Sequence, residues 1–229
     1  LTRSLTGEGV RKTLNIIKKE FPKLKIKKIK SGTKVFDWKI PLEWSIKKAS
    51  VKYEGKKIID LKDNNLHILQ YSKSFKGKIS YNELRKHLYF IKKKPNALPY
   101  VTSYYKKKWG FCAKHKLINS SKFSEPFKVV IKTKHDSNGE LLYGECLKKG
   151  KNSKEIILST YFCHPSMGND NLSGLLTASL LFNYIKRFET NYSYRLLIIP
   201  ETIGSICFLA NCDKDKIIGG TVITNTAGP

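Results

Sequence analysis

Three residues of this chain have the types and spacing of a metal site: His164, Asp170 and Glu201. Imidazole and carboxylate are donors for a divalent cation such as zinc, and a carboxylate beside such a cation can serve as a general base. His164 and Asp170 stand six residues apart in STYFCHPSMGNDNLSGLL, Ser159 to Leu176. Just upstream, KEIILSTYF is an apolar, β-branched run that reads as a buried parallel strand, closed by His164-Pro165. Downstream, Leu172, Leu175, Leu176, Leu180, Phe182, Ile185 and Phe188 recur at roughly helical spacing, with Asn169, Asp170, Asn171 and Ser173 available as caps. YRLLIIPE, Tyr194 to Glu201, is a second strand-length run that ends in proline plus a carboxylate.

Strand, crossover helix and strand form a right-handed βαβ unit, so both carboxyl ends lie on one side of the sheet. Adjacent strands sit ~4.8 Å apart and next-but-one strands about twice that, a span that side chains can bridge around one or two cations. His164 and Glu201 are therefore expected as neighbours on the rim where open α/β sheets bind ligands. Taken singly, the three residues also fit as a satisfied strand-end histidine, a helix N-cap and a surface glutamate. Their company is what favours metal. Glu201 fits either as ligand or as general base.

Competing chemistries fail on geometry. Cys163 and His164 are neighbours on a strand and face opposite sides, so they cannot form a nucleophile and base pair. No Gly-x-Ser-x-Gly elbow, phosphate-binding glycine loop or His-Glu-x-x-His helix occurs. Cys112 and His115 are a zinc pair without a second pair, which is weak evidence.

Around this centre, Gly7 to Phe21 reads as an amphipathic helix stopped by Pro22, and Leu24 to Gly32 as an edge strand alternating with lysine. Residues 33–126 hold all three tryptophans and short alternating runs, and are expected as an inserted β-rich domain. Within them a short helix over Tyr81 to Leu88 is expected, capped by Ser80 with Glu83 three residues on. FKVVIKT and LLYGECLKKG flank Asn138-Gly139, a strong hairpin signal where the main sheet is expected to resume. A further helix over Ile203 to Asn211 and a strand in GGTVITN complete the pattern. The expected fold class is α/β, a mixed sheet with flanking helices, formed by 1–32 and 127–229 around the insertion.

Composition bounds the rest. At 229 residues and 40% hydrophobic content the chain can bury a sizeable core, and it has no apolar run long enough for a membrane span. It starts at Leu1 and stops at Pro229 directly after an expected strand, so both ends read as cut. The net charge of +26 invites a polyanion reading. However, only five of the 44 basic residues are arginine, and the lysines look scattered, as a solvated surface would be. Nucleic acid is therefore disfavoured, and no membrane partner is expected. Five cysteines, an odd number at low density, suit a reducing cytoplasm, with Cys163 and Cys207 as small buried hydrophobes.

HPSMGNDNLSG followed by IPETIGS resembles the aminopeptidase-like proteins found with bacterial surface-polysaccharide biosynthesis genes, relatives of zinc aminopeptidases that use a His, Asp-Asn and Glu-Glu ligand set. The likeness runs the whole length, through RSLTGEGVR, SGTKVFDW, PLEW, KDNNLHIL, LPYVTSYYKKKWGFC and LYGE. It implies a zinc-exopeptidase-like fold with an inserted β domain, His164 and Asp170 as zinc ligands, and Glu201 as the third carboxylate. Two departures stand out. Pro200 precedes a lone Glu201 where those enzymes have paired glutamates, and their further Asp and His ligands come from strands beyond this chain's last residue.

The expected function is therefore a zinc-dependent aminopeptidase-like hydrolase, holding one or two zinc ions and cleaving an amide in a peptide or aminoacylated sugar. A catalytically inactive metal- or ligand-binding homologue is the alternative, and a polyanion-binding protein the third. Homo-oligomerisation is left open.

Overall fold

The computed structural model describes residues 1–118, 123–124 and 126–228. The expected insertion and C-terminal segment also include residues 119–122, 125 and 229, which lie outside the described residues. In chain order the elements begin with α1 (Glu8–Glu20), β1 (Lys25–Lys30), β2 (Lys34–Val35), β3 (Trp38–Lys39), β4 (Glu43–Tyr53), β5 (Lys56–Asp60) and β6 (Phe75–Ile79). Then follow α2 (Tyr81–Arg85), β7 (Leu88–Tyr89), β8 (Phe111–Cys112), α3 (His115–Ile118), β9 (Phe127–Asp136) and β10 (Glu140–Lys148). The last are β11 (Glu155–Tyr161), α4 (Gly174–Ile185), β12 (Ser193–Ile199), α5 (Ile203–Asn211) and β13 (Ile217–Val222). The chain divides into two compact units, one of Leu1, Arg3–Glu43 and Ser137–Pro229, the other of Thr2 and Trp44–Asp136.

The first unit is built on a five-stranded mixed sheet in the order β1-β10-β12-β11-β13. β1 and β12 each pair antiparallel with β10, while β11 pairs parallel with both β12 and β13. The two apolar runs are thus adjacent strands, in register with Tyr161 opposite Ile199. Alternation along each strand sends Leu158, Leu196 and Ile198 to one face, where they join Val10 and Leu14 of α1 and Leu175, Ala178 and Phe182 of α4 in a single core cluster. Each fully buried large side chain there contributes about 1.5–3 kcal/mol by leaving water. Arg195 lies one residue from Leu196 and so faces the opposite side, where its guanidinium sits 5.9 Å from the Phe208 ring of α5. Among the described residues no helix is long and apolar enough to cross a membrane.

Two expectations meet the structure here. The helix expected after Asp170 forms as Gly174–Ile185, with apolar residues on both its buried and its exposed side. Leu175, Ala178 and Phe182 are buried, whereas Leu176 and Leu180 point outward at 64% and 69% exposure. A 3.6-residue period cannot bring 175, 176 and 180 to the same face. Secondly, β9 and β10 do not pair as a hairpin. β9 lies in the second unit's sheet and β10 in the first unit's. The glycine of Asn138-Gly139 is needed for a close approach instead, because a Cβ at Gly139 would lie 2.1 Å from the Glu43 Cβ. Glu43 is held there by Arg11 Nη2, which donates to both carboxylate oxygens at 3.0 and 3.1 Å, and it accepts the Glu140 N–H at 2.8 Å.

The second unit is β-rich. Its main sheet has the order β5-β4-β9-β6, and β7 and β8 form a small parallel pair. Trp44, 2% exposed, stacks on Tyr71 at 5.7 Å and donates its indole N–H to the Ser72 carbonyl at 3.0 Å. α2 starts as its sequence predicts, with Ser80 Oγ accepting the Glu83 N–H at 3.3 Å. His115 opens α3, its ring 5.0 Å from that of Phe90, and Cys112 is fully buried.

Candidate functional site

Both parallel strands end at the same rim, and the chain turns sharply after each. Past β11, Phe162 and Cys163 lead to His164; past β12, Pro200 leads to Glu201. Two non-glycine residues in these turns take positive φ, Ser166 at 50° and Thr202 at 60°. Such conformations cost about 1–3 kcal/mol and persist where surrounding contacts over-determine them. Between Gly168 and Ser173 the backbone winds as an irregular turn in which Asp170 and Asn171 leave helical φ/ψ.

Asn171 pins this turn. Its side-chain amide donates to Thr160 Oγ1 at 3.1 Å and to the Tyr161 carbonyl at 3.0 Å, and its Oδ1 accepts the Asn225 N–H at 2.9 Å. Gly174, which opens α4, must lack a Cβ, because one would meet Asn171 Oδ1 at 2.3 Å and the Ile223 carbonyl at 2.5 Å. The turn is therefore locked between the end of β11 and the segment after β13.

The structure brings His164, Asp170 and Glu201 together. His164 Nδ1 lies 3.1 Å from Asp170 Oδ1 and His164 Nε2 lies 3.1 Å from Glu201 Oε2. The imidazole is buried, at 6% side-chain exposure, while the carboxylates are open to solvent at 42% and 50%. A ring with acceptors on both edges can donate from both nitrogens only as the imidazolium.

Several residues that sequence reasoning did not single out complete the arrangement. Tyr161 donates its phenol to Asp170 Oδ1 at 2.7 Å and accepts from Thr224 Oγ1 at 2.8 Å. Burial first, and the neighbouring carboxylates after it, push the Tyr161 pKa up to about 12, so it stays a donor. Arg3, 6% exposed, donates its Nε–H to the His164 carbonyl at 3.0 Å, and burial draws its guanidinium pKa down. No local pattern marks Arg3, which lies 161 residues from His164. Tyr161 was legible only as a strand residue. Cys163 Sγ accepts the Glu201 N–H at 3.3 Å, and burial pushes its thiol up to about 12, so it has no thiolate to attack with.

One imidazole and two carboxylates are the donor types zinc takes. Here the ring stands between the carboxylates, and among the described residues no group of three His, Cys, Asp or Glu side chains is arranged to hold a metal ion. The fit is that of a partial site. His164 Nε2 and Glu201 Oε2 are two donors facing each other, with Asp170 on the far edge of the ring, the position from which a carboxylate orients a metal-binding histidine.

What the sheet and its rim define is an aminopeptidase-like α/β domain. A crystal structure of a Clostridium acetobutylicum protein described as a peptidase superposes with a TM-score of 0.90 at 45% identity, covering 96% of this chain and 52% of that one. A zinc aminopeptidase from Bacillus subtilis shares the fold at a TM-score of 0.58 and 13% identity, over 97% of this chain and 65% of that one. Residues 1–228 match the family described as a domain of unknown function (DUF4910), and the chain belongs to that family. A C. acetobutylicum protein named for polysaccharide biosynthesis and an aminopeptidase-like domain is 44% identical over the whole chain. This chain spans about half that relative's length, 52%.

Proposed function

We propose that this chain contributes part of the catalytic centre of a zinc-dependent, aminopeptidase-like hydrolase that cleaves an amide bond in a peptide or an aminoacylated sugar. The observation that carries the reading is the convergence of Asp170 and Glu201 on the two edges of the His164 ring, each 3.1 Å from one of its nitrogens, at the common end of two parallel strands. His164 Nε2 and Glu201 would hold the ion, with Asp170 orienting the ring or joining as a ligand. The chemistry that zinc supplies in such a place is polarisation of a carbonyl and a bound water with a pKa near 7.

The remaining work belongs to the chain's own groups. Glu201, half exposed, can accept a proton from a water at the rim. Tyr161 and His164 hold Asp170 from two sides, and Arg3 fixes the His164 main chain from behind. Imidazole and carboxylate bind a metal ion in their deprotonated forms, so metal uptake should weaken as pH falls.

A cytoplasmic setting agrees with the absence of disulfides among the five cysteines, all of them free. Metal analysis after purification with zinc tests the proposal: one or two ions per chain are expected, lost in both His164→Ala and Glu201→Gln. A protein that stays folded yet retains no zinc overturns it. A second reading, a binding homologue without turnover, is favoured by Pro200 in front of a lone Glu201. Zinc-loaded protein that binds but cleaves none of a panel of fluorogenic amino-acid amides would establish that second reading.

A further inference from the structure

The lysines are not spread evenly over the fold. Trp44–Asp136 holds 23 of the 44 Lys and Arg but only 6 of the 18 Asp and Glu, a net +17 of the chain's +26. Strand pairing concentrates part of that charge on one surface. In the antiparallel pair β6–β9, Lys76 lies opposite Val130 and Lys78 opposite Lys128. Opposed residues share a face and alternate residues return to it. Lys76, Lys78, Lys128, Lys132 and Lys134 therefore stand on one side, all exposed, while Phe127, Val129 and Ile131 are buried on the other.

Among the described residues only Lys134 of these five forms an ion pair, with Asp136 at 2.6 Å. A like-charge pair directly opposed, as Lys78 and Lys128 are, is destabilising. Beside the lysines, Ser45 and Lys47 of β4, Ser74 and Thr133 line a groove of about 470 Å³.

We propose that this lysine face and its groove are a docking surface for an anionic polysaccharide, a sugar polymer with a carboxylate or phosphate in its repeat. The surface lies in the second unit and does not depend on the His164 rim. Ammonium groups are compact, strongly hydrated point charges that suit negative charges set along a sugar chain, with the hydroxyls of Ser45, Ser74 and Thr133 beside them. Single-stranded nucleic acid fits less well, because it needs open aromatic faces on which bases stack. The Phe75 ring is already stacked on Trp109 at 4.1 Å, and Trp109 on His87 at 3.6 Å. The face also holds no arginine to fork onto phosphate or base.

Titration of the whole chain with an oligogalacturonate, a neutral dextran and single-stranded DNA of matched charge tests this. The oligogalacturonate should bind and dextran should not, with affinity falling roughly tenfold or more between about 50 and 200 mM salt. Lys76→Gln/Lys128→Gln/Lys132→Gln should weaken binding roughly tenfold or more and flatten the salt slope by about two to three. A control triple in the first unit, Lys18→Gln/Lys19→Gln/Lys23→Gln, should change affinity less than about twofold. If the face variant does not fold, the single Lys128→Gln is read in its place. Equal losses in face and control variants, no oligogalacturonate binding at about 50 mM salt, or tight binding of the DNA alone would each overturn the assignment.

Discussion

His164 spends both ring nitrogens on carboxylates, so anything bound at the rim must take a nitrogen that already has a partner. On the opposite face of the same sheet, Arg195 shows the converse economy of charge. Its Nε and Nη2 donate to the two oxygens of Glu155 at 2.6 and 2.8 Å, and its Nη1 to Glu145 at 3.0 Å. All three side chains are under one-fifth exposed, and Lys27 adds a contact to Glu145 at 3.2 Å. Removing one member of a buried ionic network leaves the others uncompensated. Arg195→Ala should therefore lower unfolding free energy by about 3–5 kcal/mol in urea denaturation; a loss below about 1 kcal/mol would mean the network is worth no more than a surface pair. At this scale the sequence was legible where chemistry is clustered. His164, Asp170 and Glu201 each follow a strand or a polar turn that can be recognised locally. Arg3, Tyr161 and Thr224 were not legible as site residues, because their roles arise from hydrogen bonds across 161, 9 and 63 positions.

Helix α4 illustrates what periodicity can and cannot decide. Its residues are almost all apolar, so both the inward and the outward stripe carry leucine or an aromatic ring. Phe182 has no solvent exposure and packs among Leu142, Leu158 and Leu196, whereas Leu180 is 69% exposed. Phe182→Ala should cost about 3–5 kcal/mol of stability, and Leu180→Ala within about 0.5 kcal/mol, both read from denaturant midpoints. Comparable losses at the two positions would show that the outer stripe is covered. Helices α1, α2 and α5 fall where caps, proline stops and spacing point. The Asn138-Gly139 signal misled because a dipeptide permits a tight turn but does not say whether the strands on its two sides belong to one sheet.

For the molecule as a whole, the buried titratable groups set an upper limit on pH. Burial pushes the thiols of Cys112, Cys163 and Cys207 up from 9.0, and the phenols of Tyr143 and Tyr161 up from 10.0, each to about 12. A folded-state pKa above the unfolded value contributes stability that is complete below the unfolded value and fades as pH rises toward the folded one. The contribution of these groups should then be level below about pH 9, and stability should fall between pH 9 and 12 as they ionise only on unfolding. Fluorescence-monitored urea midpoints across that range, with tyrosine ionisation followed by absorbance, would check it. Tyrosines that all ionise near pH 10 in still-folded protein would refute it.

Local chemistry in the chain was enough to read an α/β fold, two parallel strands leading to His164 and Glu201, and a β-rich companion segment. These depend on hydrophobic alternation, caps and breakers, which act over a few residues. Tertiary structure alone decided that β11 and β12 are direct neighbours, that β9 and β10 part into different sheets, that five lysines share one face, and that the imidazole lies between its carboxylates rather than beside them. Each of those outcomes follows from strand register and long-range packing, which no short stretch of sequence encodes by itself.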